Sequence, residues 1–183
     1  MIDHEYRVIF IHQRKVAGTS IIAAFGNLED HYARNRYNDG ALKPDWARRE
    51  PDYFVFSAVR NPFDRLVSGW RHNEKARAFS LFDLLSSPPD DEVIYRHVLR
   101  PQVAPLRDPA TGQLVVDDLI RYETLEDDFR RICNRICAPD LTLPNLNMGR
   151  YRDAGYRHYF DDRTRALAEE RFADDLLTFG YSF

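Results

Sequence analysis

The sequence predicts an α/β fold, a small central parallel sheet flanked by helices, and three observations carry that expectation. Arg7-Val-Ile-Phe-Ile11 is a short β-branched and aromatic run that ends in a polar segment and is followed by the apolar stretch Ile21–Leu28. Tyr53-Phe-Val-Phe-Ser-Ala-Val59 repeats the pattern, passing through Arg60-Asn61-Pro62 into a helical spacing of Leu66, Val67 and Trp70. Two strand-loop-helix units in succession imply strands that run parallel. The third observation is bulk: 183 residues, 44% hydrophobic and 30% charged, suit one domain with one core.

Each element has its own local reason. Thr19 and Ser20 supply N-cap hydroxyls for the first helix, and Pro62 suits the first turn of the second. Ser80-Leu-Phe-Asp83 and Thr124-Leu-Glu-Asp127 read as capping boxes for two more helices, and Leu119–Tyr122 as a third short strand. Cys133 and Cys137 are four apart in the helix after Thr124, where they share a face as small buried hydrophobes; two cysteines are too few for a disulfide scaffold or a zinc site. Asp161 opens a last helix with Leu167, Phe172, Leu176 and Leu177 as its apolar stripe, packed against the sheet and closed by Gly180. Loops rich in proline and aspartate occupy 86–91 and 105–112, and with no repeat or dividing linker the expectation is a single domain over residues 1–183.

The formal net charge of −3 excludes the broad basic field of a nucleic-acid-binding protein. Arginines nevertheless cluster, as in Arg60/Arg65/Arg71 and Arg150/Arg152/Arg157, which suits a local pocket for a small anion. The start of the chain lacks the pattern of a secretion signal, and no apolar run approaches the roughly 20 residues that span a bilayer. A cytoplasmic protein without a membrane span is expected.

The chemistry begins at Phe10-Ile-His-Gln-Arg-Lys-Val-Ala-Gly-Thr-Ser-Ile21, a strand end that turns through small residues into a helix start. Main-chain N–H groups at such a junction point at an anion, Gly18 permits close approach, Thr19 and Ser20 donate through hydroxyls, and Lys15 adds a point charge. The architecture expected is therefore P-loop-like, with three layers. Lys15 precedes Gly18, however, whereas a Walker A loop sets its lysine after the second glycine, and an ATP or GTP hydrolase is disfavoured. The segment resembles the 5′-phosphosulfate loop of sulfotransferases, Phe-Ile-His-x-x-Lys-x-(Ala/Gly)-Gly-Thr-Ser, with Arg14 where many relatives have proline.

The second segment, Phe54 to Trp70, is similar to the family's 3′-phosphate motif, Arg-(Asp/Asn)-Pro-x-x-Arg-x-x-Ser-x-(Tyr/Trp). His97-Val-Leu-Arg-Pro-Gln102, Ile120–Leu125, Leu143–Asn147 and Phe179–Phe183 resemble the carbohydrate (Golgi-type, family 2) branch and its bacterial relatives. The resemblance implies that 3′-phosphoadenosine-5′-phosphosulfate (PAPS) donates a sulfuryl group to a hydroxyl, of a carbohydrate in this branch, by in-line displacement without a metal. It places Lys15, Val16, Ala17, Gly18, Thr19 and Ser20 on the 5′-phosphosulfate, Arg60 and Ser68 on the 3′-phosphate, and Lys15 at the charge that develops on the bridging oxygen. Arg65 is a weaker phosphate ligand because it can instead pair with a carboxylate, and Arg150 or Arg152 in a late loop could reach the 3′-phosphate.

A general base should take the acceptor's proton. Several relatives hold a histidine before the second strand, but Gly40–Trp46 has none, so His72 and His97 are the favoured bases, with His31 and Glu74 behind them. Trp46, Tyr95, Tyr151 and Tyr156 are aromatics able to stack on a base or sugar. Two other readings stay open at this point: a relative that binds the nucleotide without catalysis, and a P-loop kinase-like phosphotransferase. The short stretch between Lys15 and Arg60 leaves little room for an elaborate acceptor-binding insertion.

Overall fold

The computed structural model describes residues 1–26, 52–144 and 155–183. Strands β1 (Ile2–Asp3), β2 (Val8–Ile11), β3 (Phe54–Val59) and β4 (Asp118–Arg121) form one sheet in that order. β2, β3 and β4 are parallel, and only β1, which the sequence did not announce, is antiparallel to its neighbour. The register sets Ile9 beside Val55, Ile11 beside Ser57 and Ala58 beside Ile120. All four residues of β2 are buried, as expected of a central strand in a parallel sheet, whose apolar run is continuous instead of alternating. The described helices are α1 (Gly18–Phe25), α2 (Pro62–His72), α3 (Leu81–Ser86), α4 (Glu92–Ile94), α5 (Leu125–Arg135), α6 (Asp162–Arg171) and α7 (Ala173–Phe179). The expected α/β fold is therefore present.

The chain separates into two compact units, Met1–Val59 with Ala104–Met148, and Arg60–Val103 with Gly149–Phe183. In the first, Val8, Phe10, Phe56, Ala58 and Ile120 line one face of the sheet and are covered by Ile21 and Phe25 of α1 and Phe129, Ile132 and Cys133 of α5. Phe10 and Phe56 stack with ring centres 5.0 Å apart. α5 ends at Arg135, so Cys137, with φ of 58°, lies beyond the helix and is exposed, and the expected shared face with Cys133 does not form.

The second unit is helical. Phe63, Leu66 and Val67 of α2 pack with Leu81, Leu84 and Leu85 of α3 and with Ala168 and Phe172, so the last helical segment belongs to this core instead of the sheet's. It is also two helices: the chain bends at Phe172, α7 restarts at Ala173, and the change of phase leaves Leu177 of the expected apolar stripe 85% exposed. Gly180, φ 67°, ends α7 in the left-handed conformation that glycine adopts without strain. Ser80 caps α3 as expected, its Oγ accepting from Asp83 N–H at 3.0 Å. Thr124 does not cap α5; a 3₁₀ turn over Tyr122–Thr124 precedes the helix, and the Thr124 hydroxyl donates to Asp128 instead.

Among the described residues no helix is long and apolar enough to cross a membrane.

Candidate functional site

The loop from His12 to Ala17 follows β2 directly. Gln13 holds it to the neighbouring strand, with Nε2 3.4 Å from both Ser57 Oγ and the Ala58 carbonyl, while Ser57 Oγ donates to the Ile11 carbonyl at 2.7 Å. Lys15 and Ala17 have φ of 67° and 64°. Left-handed conformations in two non-glycine residues cost energy, and such strain clusters where a backbone must hold a ligand. Alternating handedness turns successive N–H groups toward one point, the concave arrangement that binds anions.

α1 begins at least two residues earlier than its hydroxyls suggest. The cap is Ala17, whose side chain makes no cap hydrogen bond, and Thr19 and Ser20 stand inside the helix, Thr19 exposed and Ser20 buried. An uncapped N-terminus after a strand is suited to a phosphate or sulfate. Val16 gives its side chain to the core. Gly18 has a structural reason as well. A Cβ there would lie 2.1 Å from His12 Cδ2, so glycine makes room for the His12 ring. Burial, with Arg14 adding to it, pulls the His12 pKa down to about 4, and the ring is neutral at neutral pH.

Arg60 follows β3 as Lys15's loop follows β2, and the C-terminal ends of these two parallel strands lie side by side. Asn61 caps α2, its Oδ1 accepting from Phe63 N–H at 3.0 Å, with Pro62 in the first turn as expected. The Arg60 guanidinium meets Asp64 one turn on, Nε at 2.8 Å and Nη2 at 2.7 Å from Oδ2. Ser68 is one further turn along that face, four residues after Asp64. Arg65 points the other way: it is 2% exposed, donates to the Arg100 carbonyl, lies over the Phe172 ring, and burial lowers its pKa to about 10.

The sulfotransferase family model matches residues 1–182. The chain belongs to the sulfotransferase family. It is thus a transferase of sulfuryl groups, and the kinase-like reading loses its ground. No curated protein and no solved structure matches the chain.

In this sulfotransferase His72 is exposed at the end of α2. His97 is half-buried in a π-helical turn, Tyr95–Leu99, that continues α4. The two segments touch at Gly69, where a Cβ would lie 2.8 Å from the His97 carbonyl oxygen. Glu74 is exposed, 4.0 Å from Arg77. Tyr156 stacks on Phe63 at 6.2 Å and belongs to an aromatic cluster with Phe160 and Phe183, while Tyr95 is exposed. His31, Trp46, Arg150, Tyr151 and Arg152 lie outside the described residues. Among the described residues no group of three or more His, Cys, Asp or Glu side chains is arranged to hold a metal.

Two residues around Arg60 escaped the sequence reading, Gln102 and Asp175. Gln102 accepts from Arg60 N–H at 2.9 Å and donates to the Arg60 carbonyl at 2.8 Å; Asp175, fully buried on α7, accepts from the N–H groups of Gln102 and Val103, both at 2.8 Å. Burial raises the Asp175 pKa, against the pull of those two N–H donors and of Arg65. A signal for Asp175 existed: it falls on the i, i+3, i+4, i+7 stripe of Phe172, Leu176 and Phe179, a carboxylate among residues destined for the core.

Proposed function

We propose that residues 1–183 act as a single sulfotransferase domain that moves the sulfuryl group of PAPS to a hydroxyl acceptor, a carbohydrate, by in-line displacement. The observation that carries this reading is the loop after β2. Left-handed Lys15 and Ala17 and the uncapped start of α1 form a main-chain anion cradle at the end of a parallel strand, and an arginine follows the next strand. These residues fit the donor. The main chain of Val16 to Ser20 with the Thr19 and Ser20 hydroxyls takes its 5′-phosphosulfate, and Arg60 with Ser68 takes its 3′-phosphate, joined by Arg150.

Lys15 supplies positive charge where the bridging oxygen gains negative charge as its bond to sulfur breaks, which is where a fixed charge lowers the barrier most. A histidine, His72 or His97, accepts the proton of the acceptor hydroxyl as its oxygen bonds to sulfur. The products are a sulfate ester and adenosine 3′,5′-bisphosphate, and this charge arithmetic needs no metal. Asp64, one helical turn before Ser68, pairs with the Arg60 guanidinium.

Thermal unfolding with added nucleotide tests the proposal. Adenosine 3′,5′-bisphosphate should raise Tm well beyond an equal concentration of adenosine 5′-monophosphate, because a ligand that binds only the folded state stabilises it in proportion to its affinity. Equal stabilisation by the two nucleotides would remove Arg60 and Ser68 from 3′-phosphate recognition.

A further inference from the structure

Arg60 is gripped by its main chain as well as its side chain. One planar amide, that of Gln102, accepts from the Arg60 N–H through Oε1 and donates to the Arg60 carbonyl through Nε2. Two opposed hydrogen bonds from a rigid group fix both the position and the rotation of a residue, which one bond does not. Gln102 has no exposure and is itself held: its N–H donates to Asp175 Oδ2, its Nε2 lies 3.4 Å from the same oxygen, and the adjacent Val103 N–H donates to Oδ1. Arg100-Pro101-Gln102 is delivered by the π-helical turn at Tyr95–Leu99, closed by Arg100 N–H on the Tyr95 carbonyl at 2.8 Å. Such turns inside helices are frequent at functional sites.

The composition of this network argues against packing as its only purpose. Asp175 is a fully buried carboxylate, and the Nε of buried Arg65 has no hydrogen-bond partner. Apolar side chains of similar volume would join α7 to its neighbours at less cost in desolvation. Its terminal contacts are the two polar atoms of Arg60's backbone, and the Arg60 guanidinium then runs to Asp64 on the face that carries Ser68.

We propose that Gln102, backed by Asp175, is a positioning residue that presents Arg60 to the 3′-phosphate and so sets the preference for a 3′-phosphorylated nucleotide. The inference rests on the reading of Arg60 as the 3′-phosphate ligand. A charge-assisted contact from arginine to phosphate is directional, so a guanidinium free to shift should lose most of the discrimination and little of the affinity for the rest of the nucleotide.

The test is calorimetric titration of the full chain with adenosine 3′,5′-bisphosphate and with adenosine 5′-monophosphate, the ratio of the two Kd values giving the 3′-phosphate preference. Gln102→Met keeps the volume and removes both hydrogen bonds; it should lower the preference by about tenfold or more while the monophosphate Kd stays within about threefold. Gln102→Glu supplies a second variant. Protonated, its carboxyl has one donor and one acceptor and restores the grip; ionised, it faces Asp175 from α7 and the Arg60 carbonyl, with Arg65 of α2 and Arg100 as the nearby cations. Its preference, taken relative to the unmodified chain at each pH, should recover as pH falls from 8 to 5.5. Unchanged preference in both variants, or an equal loss for both nucleotides, would overturn the positioning role and leave Gln102 a packing residue. An unmodified chain that does not distinguish the nucleotides would overturn the reading of Arg60 itself, and the inference with it.

Discussion

The loop after β2 and the segment after β3, which we propose as the two anion sites, are built by opposite means. The first takes its shape from the main chain: two left-handed residues, an uncapped helix start, and a glycine that admits the His12 ring. The second takes its shape from side chains that arrive from far along the sequence, Gln102 at a separation of 42 from Arg60 and Asp175 at 73 from Gln102. A main-chain cradle tolerates exchange of most side chains around it. A side-chain scaffold fails when a distant member is lost.

The largest effect should come from the charged side chain of the cradle. Lys15→Ala should lower turnover about 100- to 1000-fold, since a donor aimed at developing charge acts chiefly in the transition state. The affinity for adenosine 3′,5′-bisphosphate should stay within about tenfold, because the main chain still holds the 5′ end. Single-turnover kinetics and calorimetry separate the two quantities. If nucleotide affinity collapses together with turnover, Lys15 serves binding as Arg60 does, and the division between a main-chain site and a side-chain site is wrong.

A second, smaller effect sharpens the same contrast through pH. His12 holds a pKa of about 4 in the folded chain against 6.5 when unfolded, because burial beside Gly18 penalises the charged ring. A lowered pKa contributes stability that is complete above about 6.5 and is lost as pH falls toward 4, at most about 3 kcal/mol. Urea unfolding at pH 7 and pH 4.5 should show the unmodified chain losing about 2 kcal/mol more than His12→Asn. Equal losses would mean that the ring is hydrated and the Gly18 contact does not grip it.

The contrast also explains what could be read in advance. β2, β3, Pro62 at the start of α2, the Ser80 cap and Gly180 at the end of α7 were legible because each is written in consecutive residues. So was the loop from His12 to Ser20, apart from its cap, which is Ala17 and not Thr19 or Ser20, and its handedness, since Lys15 and Ala17 are not residues that signal a positive φ. Thr124 misled because its hydroxyl had a competing partner in Asp128, and Leu177 because a bend at Phe172 resets the helical phase. Gln102 stood in a segment with a family resemblance, but its role depends on a long-range pairing that no local pattern encodes.

The smallest effect separates stability from positioning inside the second unit. Ser80→Ala removes the acceptor for Asp83 N–H at the start of α3, which should cost about 1 kcal/mol of stability, as loss of a serine cap does elsewhere. Leu81, Leu84 and Leu85 of that helix share a core with Phe63 and Leu66 of α2, so the loss is felt by the element that carries Ser68. The hydrogen bonds between Gln102 and Arg60 and between Gln102 and Asp175 do not involve α3. Chemical denaturation should therefore register the lost cap while the ratio of Kd values for adenosine 5′-monophosphate and adenosine 3′,5′-bisphosphate stays constant. A fall in that ratio on Ser80→Ala would show that 3′-phosphate preference follows the general stability of the helical unit, and the remote scaffold of Arg60 would lose its distinction from the packing around it.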